Sequence, residues 1–173
     1  MKQNLPHNYN AAVLALGGRV YRKVAHNTFL MRRDAGAIAV RYHHTDVVTF
    51  YSDGRTVLDT GGWDTNTTRE RIRWCGIPCC TQDGVTSIGY GGFEWVLRDG
   101  MTLYPNGTVS GTEAETPDEA RRAIRAAKRR ARLQRNAETR AANQKRLEAN
   151  AERAARGDRP FMVGGIVGPK GPS

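Results

Sequence analysis

Between residues 20 and 59, apolar and polar positions alternate in short bursts broken by turn residues, and the 3.6-residue spacing of a helix is absent. This pattern predicts strands at residues 20–24, 28–32, 37–42, 46–51 and 55–59. His26-Asn27, Asp34-Ala35-Gly36 and Ser52-Asp53-Gly54 supply reversals. In the last of these, Asp accepts a local backbone hydrogen bond and Gly takes the positive φ. His43-His44-Thr45 interrupts the run, and adjacent histidines in a strand would point to opposite faces. Further on, residues 85–90 and 93–97 read as strands joined through Gly91-Gly92, with Asp99-Gly100 as another turn. An apolar-Thr-apolar-Tyr run, then a turn, then Thr-Val occurs at residues 48–57 and again, one residue shorter, at residues 101–109. Hairpins converge on such residues, so the repeat reads as two similar hairpins rather than a duplicated unit.

Helical signals are few in this part of the chain. Residues 11–16 predict a short helix stopped by Gly17-Gly18. Gly61, Gly62 and Trp63 predict a corner whose indole plugs one end of the sheet. Thr67 and Glu70 fit a capping box, which starts a helix over residues 68–75 that ends at Gly76. Ile72 and one of Trp74 or Cys75 are expected on its sheet-facing side.

From residue 117 to 156 the pattern changes to Ala, Arg, Lys, Glu, Gln and Asn, with no Gly and Pro only at its first position. Thr116 is the expected N-cap, Pro117 the first helical residue, and Glu119 the partner in a capping box. The domain plan is a β-rich body over residues 1–110, a linker at 111–116, a long basic helix at 117–156 and a Gly/Pro-rich tail at 157–173. The expected fold is mainly β, a small antiparallel meander or half-barrel with two short helices, and α+β overall once the long helix is counted.

Charge sharpens this division. The net charge is +10, yet residues 1–116 carry 12 Lys+Arg against 11 Asp+Glu, whereas residues 117–156 carry 13 against 5. Hydrophobic content is 39% and mean hydropathy is −0.61, so part of the chain is poorly buried. On the helix, Arg121, Arg125, Lys128, Arg132 and Arg135 recur at spacings of 4 and 3, with Arg129 beside them, and form a cationic stripe. Such a stripe predicts a polyanion partner, nucleic acid or a nucleoprotein, bound through phosphates without sequence readout. With only Ile124, Leu133 and Leu147 as large apolar residues, the helix lacks the seam of a coiled coil. The alternative is a docking arm for a virion, assembly or host protein.

Other chemistry is sparse. Cys75, Cys79 and Cys80 are odd in number and have no familiar zinc spacing; a metal site would need His44 or another histidine as fourth ligand, and none is expected. No nucleophile elbow, phosphate loop or metal-spaced carboxylate pair is present, so neither a cofactor nor catalysis is expected, and an enzyme centred on His43 or His44 is the least favoured reading. The six-residue apolar run at residues 11–16 is too short for a signal-peptide core or a membrane span, which predicts a soluble protein made in a cytoplasm.

The run His44-Thr45-Asp46-Val47-Val48, Gly54, Leu58, Gly61-Gly62-Trp63-x-Thr65-x-Thr67-Thr68-x-x-Arg71-Ile72, preceded by Asn27-Thr28, resembles a group of small uncharacterised proteins of tailed bacteriophages, including those of actinobacteria. The resemblance spans about residues 20–75 and marks His44, Gly61, Gly62, Trp63 and Thr67 as motif positions. It implies a phage protein in the host cytoplasm or the virion, and no activity.

Overall fold

The computed structural model describes residues 5–111 and 116–157 of the chain. The chain divides into two compact units, one through Arg125 and one from Ala126 onward. Most of the 111–116 linker and nearly all of the 157–173 tail fall outside the described residues.

The first unit opens with α1 (Tyr9–Leu16), where the Asn8 side chain accepts from the Ala11 amide at 2.9 Å and Gly17 ends the helix. Strands β1 (Tyr21–Ala25), β2 (Thr28–Arg32), β3 (Ile38–Tyr42), β4 (Thr45–Phe50) and β5 (Thr56–Leu58) follow as an antiparallel meander. Next come α2 (Asn66–Trp74), β6 (Cys79–Gln82), β7 (Val85–Tyr90), β8 (Phe93–Val96), β9 (Met101–Leu103) and β10 (Val109–Ser110). One sheet has seven strands in the order β1-β2-β3-β4-β5-β9-β10; the other has three, β6-β7-β8. The expected mainly antiparallel α+β architecture is therefore what the chain adopts.

The two similar hairpins stand side by side, because β5 pairs with β9. Their turns use the same chemistry. Asp53 Oδ1 accepts from the Arg55 amide at 3.0 Å, and Asn106 Oδ1 accepts from the Thr108 amide at 3.1 Å. The turns also abut, since a Cβ on Gly54 would fall 2.7 Å from Pro105 Cγ.

The sequence pattern predicts no strand at β6. The strand forms because Asp83-Gly84 takes positive φ at both positions, +54° and +88°, the geometry of a tight two-residue hairpin into β7. His43 and His44 form a two-residue connection between β3 and β4, with only His43 at positive φ, +52°, rather than extending a strand.

A single core joins the large sheet to α1, α2 and one face of the small sheet. Leu16, Leu30, Val48, Phe50, Ile72 and Ile88 are among its buried side chains. Ile72 and Cys75 are the inward residues of α2. Each large aliphatic or aromatic side chain buried there contributes about 1.5–3 kcal/mol. The other face of the small sheet carries Val85 and Val96, which pack against Ala120 with Ile124 alongside. Those two residues belong to the opening turns of α3 (Pro117–Ala155), within the first unit. Thr116 and Glu119 cap this helix reciprocally: Glu119 Oε2 accepts from the Thr116 amide at 2.9 Å, and Thr116 Oγ1 accepts from the Glu119 amide at 3.3 Å. The Thr116 amide and hydroxyl, both donating to Glu119 Oε2, hold its carboxyl below its ordinary pKa.

Candidate functional site

The Gly61-Gly62-Trp63 corner is built from carboxylates. Asp99 Oδ1 accepts from both the amide and the hydroxyl of Thr60 at 2.6 Å, and Asp99 Oδ2 accepts from the Gly62 amide at 2.8 Å. Asp59 Oδ1 accepts from the Gly61 amide at 2.6 Å. Burial pushes the Asp99 carboxyl up, but the Thr60 hydroxyl, the Thr60 amide and the Gly62 amide together hold it below its ordinary value. Gly61, at φ +61°, leaves room for Thr45, whose Oγ1 would lie 2.6 Å from any Cβ there. The backbone is pinned further by Trp63 N–H donating to Thr60 O at 3.0 Å and Thr65 N–H donating to Trp63 O at 2.8 Å.

On this corner Trp63 does not plug the sheet as its sequence position suggests; it is 72% exposed. Leu58, Val48 and Phe50 already fill the adjacent core, and the two glycines turn the indole outward. A pocket of about 210 Å³ opens beside it. Buried Val47, Thr60 and Thr68 close its inner side, while Trp63, Thr65 and Thr67 are exposed at its mouth; Tyr42, His43 and Thr45 complete it.

The adjoining helix start differs from the expected capping box. Thr65, extended at φ −95°, is the N-cap, and its Oγ1 accepts from the Thr68 amide at 3.2 Å. Thr67 lies inside the helix with its hydroxyl on Thr65 Oγ1 at 2.9 Å, and Glu70 binds Arg71 at 2.9 Å instead of reaching back. With Thr65 already extended two residues earlier, the first turn closes before Thr67 can cap it. Arg71 is buried between the rings of Tyr42 and Trp74, at 4.4 and 4.6 Å, and donates to Thr28 Oγ1 at 3.3 Å. A charge can be buried there because the carboxylate, hydroxyl and two π faces receive it.

The predicted cationic stripe divides in two. Arg121 is only 7% exposed; its guanidinium donates to Glu94 Oε1 at 2.7 Å and Asp118 Oδ1 at 3.0 Å. Ser87 and Arg121 hydrogen-bond the Glu94 carboxyl and hold it below its ordinary pKa. Arg125 pairs with Asp83. These two cations seat the start of α3 on the small sheet. Sequence spacing put them on the stripe but did not reveal Glu94, on β8, or Asp83, in the turn between β6 and β7; the signal that could have placed Asp83 is the Asp83-Gly84 turn pair itself.

In the second unit every residue of α3 is exposed. At about 100° per residue, Lys128, Arg129, Arg132, Arg135, Arg140, Arg146 and Arg153 fall within an arc of about 140°. Glu138, Glu148 and Glu152 lie outside it, the first two held by Gln134 and Gln144 of the same helix and the third by Arg156 just past its end. None of the seven cations of the arc has an ion-pair partner among the described residues.

The cysteines separate rather than converge. Burial pushes the Cys75 thiol far up and Cys79 to about 11, while Cys80 is exposed with its Sγ 3.4 Å from Ser87 Oγ. Among the described residues no group of three or more His, Cys, Asp or Glu could hold a metal ion, so Cys75, Cys79, Cys80 and His44 do not form a site together. His43 stacks edge-on against Tyr42 at 4.4 Å, His44 is exposed, and no carboxylate hydrogen-bonds either one among the described residues. No helix among those residues is long and apolar enough to cross a membrane.

The family model described as Kyanoviridae Gp96 protein matches residues 7–113, which include the glycine corner and the Trp63 pocket but not α3. No curated protein and no solved structure matches the chain. The match extends well beyond the stretch at 20–75 that carries the resemblance to phage proteins, and covers more than half of the chain: it belongs to the Kyanoviridae Gp96 protein family, a family of phage proteins.

Proposed function

We propose that this phage protein binds nucleic acid, or a nucleoprotein, through the cationic side of α3 beyond Arg125, in the host cytoplasm or the virion. The observation that carries the reading is the arc of seven exposed cations without ion-pair partners, with every carboxylate of that part of the helix outside it. Phosphates bound along such an arc release condensed counterions, which gives affinity that depends on salt rather than on base sequence. Arg121 and Arg125 contribute indirectly, by seating the start of the helix. The reading is of a binding protein rather than an enzyme.

The test is a titration of full-length protein against duplex DNA and structured RNA at two salt concentrations, beside a K128E/R132E/R135E variant. Affinity should fall steeply with salt, and each lost phosphate contact should lower the log–log slope by about 0.7–0.9. A protein that ignores both nucleic acids at low salt sinks the reading. One observation favours a second: Leu133 and Leu147 are 61% and 69% exposed and fall 14 residues apart on one side of the helix. That suits docking on a virion, assembly or host protein, and its sign would be co-purification with particles.

A further inference from the structure

We propose that the Trp63 pocket takes a single unpaired nucleobase, stacked on the exposed indole. Trp63 is 72% exposed, yet its backbone is fixed by hydrogen bonds to Thr60 and Thr65 and, through Gly62, to Asp99. A large aromatic surface left bare on a fixed backbone suits a flat partner, because an indole has only two side-chain torsions to lose on binding. The pocket beside it, about 210 Å³, is smaller than the roughly 300–1,000 Å³ of sites for drug-sized ligands, so it admits one ring system.

The lining selects the chemistry. Apart from the His43 imidazole it holds no Asp, Glu, Lys or Arg, so no carboxylate, ammonium or guanidinium in the lining calls for an ion. Thr45 Oγ1, Tyr42 Oη and Trp63 Nε1 make no hydrogen bond among the described residues, and together they offer both donors and acceptors. A base presents alternating donors and acceptors on its edge and a bare π face above, which these groups match. A sugar on the same indole would carry hydroxyls all round its ring, and no carboxylate or amide side chain lines the pocket to meet them. The inference stands apart from the cationic helix, which would contact phosphates only.

The experiment uses full-length protein with a short single-stranded oligonucleotide and an abasic oligomer of the same length, read by anisotropy and tryptophan fluorescence. The base-bearing strand should bind about 5- to 150-fold tighter and quench the indole. That gap should close in W63A, narrow in T45V and persist in K128E/R132E/R135E; unchanged thermal unfolding shows that the variants are folded. Equal affinity for both oligomers overturns the pocket, and if the charge variant then loses both, the helix reading survives alone. If neither oligomer binds, millimolar nucleosides and monosaccharides are compared by the NMR signal of the Trp63 indole N–H. A shift with nucleoside supports the pocket, while no shift, or one with the saccharide only, overturns it.

Discussion

Gly61 and Gly62 stand next to each other at positive φ, +61° and +77°, but only Gly61 is crowded. A Cβ at Gly61 meets Thr45 Oγ1 at 2.6 Å; one at Gly62 meets nothing within 4 Å. G62A should therefore cost only the left-handed backbone penalty, about 1–2 kcal/mol, while G61A should cost about 2–4 kcal/mol once the clash is added. Urea midpoints of the two variants give the comparison. Asp99 makes a second prediction at this scale. Its carboxyl is held below its ordinary pKa, so its stabilisation is present at neutral pH and is lost as the pH falls through the depressed value. D99N should lower stability by about 1 kcal/mol at pH 7 and flatten the acid limb of the stability curve. A parallel downward offset at all pH values would show that the carboxylate charge is not the cause.

Among the elements, the two ends of α2 and α3 show what the sequence could and could not reveal. At Thr116 the cap was legible, because Pro117 and Glu119 occupy the only arrangement in which both orphan amides are met. At α2 three threonines compete, and the pattern Thr67-x-x-Glu70 names the wrong one; which hydroxyl caps depends on where the corner delivers the chain, and Asp99, from a distant turn, decides that. T65A should cost about 1 kcal/mol and T67A clearly less, by thermal unfolding. The strands of the meander were legible from alternation, whereas β6 was hidden because only Cys79 of Cys79–Gln82 is buried and the strand shows no alternation. Likewise, helical spacing could place Arg121 on a stripe but not tell a solvated stripe from a docked one. R121A should speed amide exchange in the first turns of α3 and leave the exchange of residues 126–155 unchanged.

For the molecule as a whole, the charge asymmetry separates two roles that composition merges. Before Ala126, Arg71 on Thr28, Arg121 on Glu94 and Arg125 on Asp83 hold structure; after it, the seven cations of the arc are exposed without ion-pair partners among the described residues. R132E/R135E should therefore weaken polyanion binding by tenfold or more at low salt with no change in unfolding temperature. R121A should do the reverse, lowering the unfolding temperature while leaving the salt slope intact.

The placement of β9 beside β5 bears on how the chain reaches this state. Leu58 of β5 pairs with Met101, 43 residues later, whereas β1 to β4 pair only with sequence neighbours. The meander can close from local contacts, but the large sheet is completed only after the excursion through α2 and the small sheet has returned. Loop closure over that distance is an entropic debt the early contacts do not carry. Replacing Leu30 or Val40 by alanine should then slow refolding, while replacing Leu103 should chiefly accelerate unfolding, and stopped-flow chevrons of the three variants would order the events.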